Sequence, residues 1–184
     1  MLTTDKLIVL DRDGVINHDS EDYIKTPEEW RPLPGSLDAI AALNSSGFRV
    51  VVVSNQSGIG RGLFSEAELG QIHRKMVSAV QAAGGEIAGI YYCPHRPEDD
   101  CDCRKPRPGL LERIKADFDI SLAGIPLIGD KTTDLELARR VGARPILVLT
   151  GYGQRTLATL DETGVEFFAD LANAATALIA ELSE

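Results

Sequence analysis

The amino-acid sequence predicts an α/β protein built on a mainly parallel sheet. Two observations carry the prediction: apolar runs of four or five residues recur along the chain, and segments with helical spacing separate them, the pattern left by alternating strand and helix units. "KLIVL" (6–10) is the first expected strand. Ser36 then reads as the cap of a helix carrying Leu37, Ile40, Ala41 and Leu43 on one face and closed by Gly47. "RVVVV" (49–53) is the second strand. Ser65 and Glu68 open the next helix with a capping box; Leu69, Ile72, Met76 and Val80 form its apolar stripe, and Gly84 and Gly85 end it. "GIYYC" (89–93), "IPLIG" (125–129) and "PILVL" (145–149) continue the sheet, with "VEFF" (165–168) as a short sixth strand. Helices over about 110–117, 132–141 and 170–182 alternate with them. The stretch from Gly14 to Pro34 is too long for an ordinary strand-to-helix connection and is expected to be functional.

At 184 residues, 43% hydrophobic and 26% charged, the chain has the composition of one globular domain, expected to span 1–184. No apolar run approaches the ~20 residues of a membrane-spanning helix, and the N-terminus turns acidic too early for a secretory signal, so a cytoplasmic location is expected. The net charge of −9 sets up a field that repels nucleic acid and anionic membrane. Any anion must be drawn in locally.

Ligands of such a sheet bind beyond the carboxyl ends of its strands. "DRDGVIN" delivers Asp11 and Asp13 after the first strand, with Gly14 permitting a tight turn, and "SNQSGIGRG" brings the Ser54 hydroxyl after the second. Arg104 and Lys105 follow the third, and "GDKTTD" places Asp130, Lys131 and Asp134 after the fourth. Singly, each has a plain structural explanation: a solvated turn for the first pair, an acidic helix start for the last segment. Together they fit phosphoryl transfer through Mg²⁺, with Asp11, Asp130 and the main-chain carbonyl of Asp13 as oxygen ligands. Asp11 is the candidate nucleophile, giving an aspartyl-phosphate. Asp13 would protonate the leaving alkoxide and then deprotonate water, provided its surroundings keep it partly protonated. Ser54 and a lysine would hold the equatorial oxygens.

"CPHRPEDDCDCRKPRPG" (93–109) contains all three cysteines. Cys93, His95, Cys101 and Cys103 match, in number and kind, the donors of a closed tetrahedral zinc. A free buried thiol pair and a redox-active cysteine are the alternatives. Cys101 and Cys103 stand too close for an easy disulfide, and no CxxC motif is present. A metal there would order a loop with few apolar residues, and so hold Arg104 and Lys105 in place.

These residues resemble the four motifs of the haloacid dehalogenase superfamily: Asp11 with Asp13, Ser54, a basic residue at Arg104 or Lys105, and Asp130 with Asp134. Within it, "DRDGVIN", "SNQSGIGRGLF", the cysteine segment and "IGDKTTD" resemble the D-glycero-D-manno-heptose 1,7-bisphosphate phosphatase family, a group related to histidinol-phosphate phosphatases. The resemblance implies a three-layer Rossmann-like fold without a large cap domain, Mg²⁺-dependent hydrolysis and a structural zinc. It makes Asp11 the nucleophile, Asp13 the acid/base and Asp130 a metal carboxylate with Asp134 behind it. Ser54 stands where the family often has Thr. Lys105 would stabilise the transferring phosphoryl group, and Arg104 would read the rest of the sugar phosphate. Arg12, Asn55, Gln56, Ser57, Arg61 and Lys131, with Asp19, Asp22 and Tyr23 of the long loop, are implied to touch substrate.

The implied substrate is a small phosphorylated sugar, losing its phosphate at position 7 on the route to nucleotide-activated heptose for lipopolysaccharide; the chain itself is expected to be a monomer. Ser57 and Arg61 favour this group over the histidinol-phosphate phosphatases, in which an acidic residue commonly follows the Gln. Histidinol-phosphate phosphatase is the alternative; from another class, a zinc-stabilised binding module with idle carboxylates is a third reading. His73 is expected on an exposed helix face and His18 in a surface role near the first motif. Trp30 is expected to pack the long loop onto the body.

Overall fold

The computed structural model describes residues 6–161 and 164–183. Six strands, β1 (Lys6–Leu10), β2 (Phe48–Asn55), β3 (Gly89–Cys93), β4 (Pro126–Gly129), β5 (Arg144–Val148) and β6 (Glu166–Phe168), form one sheet in the order β3-β2-β1-β4-β5-β6. All neighbours pair parallel. The helices are α1 (Ser36–Ser45), α2 (Ser57–Gly60), α3 (Glu66–Ala82), α4 (Gly109–Phe118), α5 (Thr132–Val141), α6 (Gly153–Thr159) and α7 (Leu171–Ala180).

The strands are continuously apolar because helices cover both faces, and successive side chains serve opposite cores. Ile8, Leu10, Val50 and Val52 meet Ile40, Leu43, Ile72, Met76 and Leu178 of α1, α3 and α7. Leu7, Val9, Val51 and Val53 meet Leu110, Leu111, Ile114 and Leu137 of α4 and α5. Three layers result. The strand order reverses between β1 and β4, the crevice where such sheets bind ligands. The Asp11 amide donates to the Ile128 carbonyl at 2.9 Å, closing the base of that crevice.

Every expected strand is found. β2, however, runs on through Ser54 and Asn55, which pair with Tyr92 and Cys93, so both belong to the strand rather than to the loop after it. The Ser65–Glu68 capping box forms as read. Ser36 does not cap α1: Gly35 holds the cap position at φ 76, and the Ser36 hydroxyl lies 2.7 Å from the Ile16 carbonyl and 2.9 Å from that of Leu33. It therefore ties the long loop to the helix. That loop holds only isolated bridges, Asn17 with Asp13 and Asn17 with Pro32. Its Val15, Ile16, Ile24 and Trp30 are buried in the first core. Lys75 caps the packing, its ammonium 5.9 Å from the Trp30 ring centroid.

His73 is a correction. It is not on an open face: its ring lies 5.7 Å from that of Tyr92, and its Nε2 is buried without a partner among the described residues. Burial first, and the Arg12 charge second, push it down to about 4, so it is neutral at pH 7. No described helix is long and apolar enough to cross a membrane.

Candidate active site

The switch point gathers three carboxylates. Ligand atoms of Asp11, Asp130 and Asp134 all lie within 4.8 Å of one another. Lys105, buried, inserts its ammonium among them, 2.8 Å from Asp11 Oδ1, 2.7 Å from Asp134 Oδ1 and 3.1 Å from the Val53 carbonyl. Burial opposes its charge, but the two carboxylates outweigh that and hold it above its ordinary range. Burial pushes Asp11 up to about 6 despite Lys105. Asp130 is pushed up to about 8, by burial and then by Asp11.

Asp130 Oδ2 accepts the Tyr152 amide at 2.8 Å, and its carbonyl accepts the Thr156 hydroxyl at 2.7 Å. Its Oδ1 is buried with no partner among the described residues. A buried orphan carboxylate oxygen beside a second carboxylate suits a hard divalent cation, so the donor set fits magnesium. Glycines admit this carboxylate. A Cβ on Gly14 (φ +87) or Gly151 (φ +57) would fall 2.1 or 2.3 Å from Asp130 Oδ2. Asp134 is occupied, accepting from Lys105 and from the Lys131 amide at 3.1 Å.

Asp13 is held from below. Arg12 donates Nε and Nη2 to its Oδ1 at 2.9 and 2.7 Å, Asn17 Nδ2 adds 2.9 Å, and Gln56 Nε2 reaches its Oδ2 at 3.0 Å. Burial would raise this carboxyl, yet the Arg12 charge and these hydrogen bonds together bring it below its usual value. Two expectations are corrected. Asp13 is ionised in the free protein rather than partly protonated, and Arg12, fully buried with its fork on Asp13, is no substrate contact. Ser54 is buried at the end of β2, 3.2 Å from Gln56 Nε2. Asn55 exchanges two bonds with the main chain of Lys105, accepting its amide at 3.0 Å and donating to its carbonyl at 3.2 Å.

Above these groups opens a cleft of about 350 Å³, lined by Asp13, Asp19, Tyr23, Asn55, Gln56, Ser57, Arg104, Lys131, Thr133 and Tyr152. Lys131 bridges it, 2.8 Å from Asp19 Oδ2 and 4.8 Å over the Tyr152 ring. The Tyr23 and Ser57 hydroxyls stand 3.5 Å apart. Asp22 and Arg61 are not brought to the cleft. Both are exposed; Lys25 takes the Asp22 carbonyl at 2.7 Å, and Arg61 faces Glu98 at 3.9 Å.

The second donor cluster joins the end of β3 to the following loop. Cys93 and Cys103 sulfurs are 3.2 Å apart, Cys93 and Cys101 3.5 Å, and Cys101 and Cys103 3.6 Å. His95 Nδ1 lies 3.6 Å from Cys93 and 3.3 Å from Cys103. All three cysteines are free. A tetrahedral zinc with bonds of about 2.3 Å has ligand atoms about 3.7 Å apart, so the donor set fits it closely. The loop meets β2 and α2 through the Gln56 amide on the Cys93 carbonyl (2.7 Å) and the Gly60 amide on that of Pro94 (2.9 Å).

Two family models match the chain: one described as HAD-hydrolase-like over residues 102–174, one as polynucleotide kinase 3 phosphatase over residues 5–133. A D-glycero-beta-D-manno-heptose-1,7-bisphosphate 7-phosphatase of Pseudomonas putida is 52% identical over 178 residues, covering 95% of this chain and 99% of its own. The chain belongs to this family of HAD-like phosphatases. A Bordetella bronchiseptica protein of the same name is 49% identical over 96% of this chain and 99% of its own. The crystal structure of D,D-heptose 1,7-bisphosphate phosphatase from B. bronchiseptica, complexed with magnesium and phosphate, matches with a TM-score of 0.93 at 48% identity, covering 96% of this chain and 99% of that one.

Four residues of the site were not signalled by the sequence: Thr133, which lies inside "GDKTTD" between the two carboxylates named from it, and Asn17, Tyr152 and Thr156. Asn17 lies within "DRDGVIN", four positions after Asp13, but nothing local shows its amide turning back. Tyr152 and Thr156 follow β5, and the strand-end position that marks Asp11 and Asp130 marks "TGYG" as well.

Proposed function

We propose that this protein hydrolyses the 7-phosphate of D-glycero-D-manno-heptose 1,7-bisphosphate, as a cytoplasmic monomer supplying nucleotide-activated heptose. One observation carries the chemistry: a buried carboxylate, Asp11, is pinned through one oxygen beside an unpartnered carboxylate oxygen of Asp130. Similarity to the named relatives carries the substrate.

Both hydrogen bonds to the Asp11 side chain, from Lys105 and the Arg12 amide, fall on Oδ1. Oδ2 is the oxygen that attacks phosphorus. The O–P bond to Asp11 forms, the bond to the sugar oxygen breaks, and the alkoxide takes a proton from Asp13. Asp13, ionised in the free protein, takes that proton from solvent as substrate binds: the negative charge of the phosphate beside Asp13 opposes Arg12 and raises the carboxyl's proton affinity. Asp13 then deprotonates a water, which attacks phosphorus and frees Asp11 with loss of phosphate. Lys105 and Ser54 face the phosphoryl oxygens, where charge develops. Arg104 and Lys131, at the cleft wall, engage the rest of the sugar phosphate.

Magnesium would be held by Asp11, Asp130 and the main-chain carbonyl of Asp13, where it neutralises charge between carboxylate and phosphate. Zinc would be held by Cys93, His95, Cys101 and Cys103, fixing the loop that presents Arg104 and Lys105. A phosphate-release assay with Mg²⁺ tests the reading. Turnover of the heptose bisphosphate well above that of histidinol phosphate is expected; the reverse preference, or no release from either, contradicts it.

A further inference from the structure

Arg104 lines two concavities. Besides the cleft, it borders a pocket of about 230 Å³ whose walls include Pro97, Asp100, Pro106, Arg107 and Arg140. Three arginines and Lys105 therefore border one small space with a single acidic residue, in a chain whose 28 acidic side chains outnumber its 19 basic ones. Arg107 is bonded to Asp100 and, at 2.8 Å, to the Cys101 carbonyl. Among the described residues, the Arg104 side chain donates only to the His95 carbonyl, at 3.4 Å. Arg140, exposed on α5, has no hydrogen-bond or ion-pair partner among the described residues. Lys105 contributes to the wall, but its ammonium is taken by Asp11 and Asp134.

We propose that this pocket is a second anion site, binding a phosphate-type dianion between Arg104, Arg107 and Arg140. Guanidinium forks match phosphate oxygens in pairs, and three arginines lining one pocket without equal countercharge favour an anion that completes the balance. Arg107 is fixed to the cysteine loop, and the two prolines stiffen the wall. Asp11, Asp13, Ser54 and Lys131 lie outside the pocket lining, so the pocket sits beside the reacting centre and shares with that machinery only Arg104 and the Lys105 wall, while Arg107 and Arg140 belong to the pocket alone.

The test is equilibrium dialysis of inorganic phosphate against the Mg²⁺- and zinc-loaded full chain, for wild type and Arg140→Gln. Two phosphates per chain are expected in wild type. In Arg140→Gln one of them is expected to bind about tenfold more weakly, as for loss of a charge-assisted hydrogen bond, while hydrolysis of phenyl phosphate is unchanged. A single phosphate per wild-type chain, two unaltered phosphates in the variant, or equal weakening of both overturns the proposal.

Discussion

Two clusters in this molecule bring metal-type donors together, and they do so in opposite ways. The carboxylates stand at the exits of β1 and β4, fixed by bonds from the sheet and its connections: the Asp11 amide to Ile128, the Tyr152 amide and Thr156 hydroxyl to Asp130. The thiols and His95 stand where β3 gives way to a loop whose only regular element before α4 is the single turn Pro97–Asp99, with residues 96–100 exposed. The first cluster is held by the fold. The second holds its own loop, leaning on the core through buried Cys93 and Cys103. Lys105 joins them, two residues beyond Cys103 and bonded to Asp11. Oxygen donors at rigid strand ends thus suit chemistry, whereas soft donors in a loop suit placement.

The largest effect should come from the carboxylate side. Asp11→Asn keeps the shape and removes the nucleophile, and turnover is expected to fall by about 10⁴-fold or more; a variant within tenfold of wild type would remove Asp11 from that role. Asp13→Asn is expected to lower kcat by about 10²–10⁴-fold, more for substrates with a poor leaving group than for phenyl phosphates, which need less proton donation. An equal loss on both would show that Asp13 is not the acid.

On the other side, Cys103→Ser should leave the sheet folded, as seen by circular dichroism. It should lower kcat by about 10²-fold through displacement of Lys105, with loss of bound zinc measured by elemental analysis. Zinc loss with undiminished kcat would separate the loop from catalysis.

The smallest effect lies at the seam, where His73 packs on Tyr92, the neighbour of Cys93. Its folded-state value, about 4, is below that of the unfolded chain, about 6.5. The unfolded state therefore binds the proton first, so this contribution is fully present above about pH 6.5 and is lost as pH falls toward 4. Urea unfolding of His73→Leu should show a loss between pH 7 and pH 5 smaller than wild type by about 2 kcal/mol; identical pH dependence would contradict neutral burial.

The same contrast explains what the sequence made legible. Strands covered on both faces announce themselves as apolar runs, and residues at their carboxyl ends inherit a predictable place, so Asp11, Asp130 and the cysteine set were readable. Side-chain direction was not. Arg12 lies between two catalytic candidates, yet in the bend just beyond β1 its side chain turns beneath the cleft, onto Asp13. Asn55 and Gln56 likewise act partly on Lys105 and Asp13, contacts that join residues 50 and 43 positions apart. His73 met the same difficulty: it sits on α3 while its partner Tyr92 comes from β3, and no helical spacing signals that contact.

The central claim is that the sheet assembles the magnesium site while the cysteine cluster positions Lys105. The most direct measurement is a Mg²⁺ titration of kcat on zinc-depleted and zinc-loaded protein. The account predicts an apparent Mg²⁺ affinity unchanged within about twofold and a kcat lower by about 10²-fold without zinc. A Mg²⁺ requirement that collapses along with zinc, or a kcat that does not move, would contradict it.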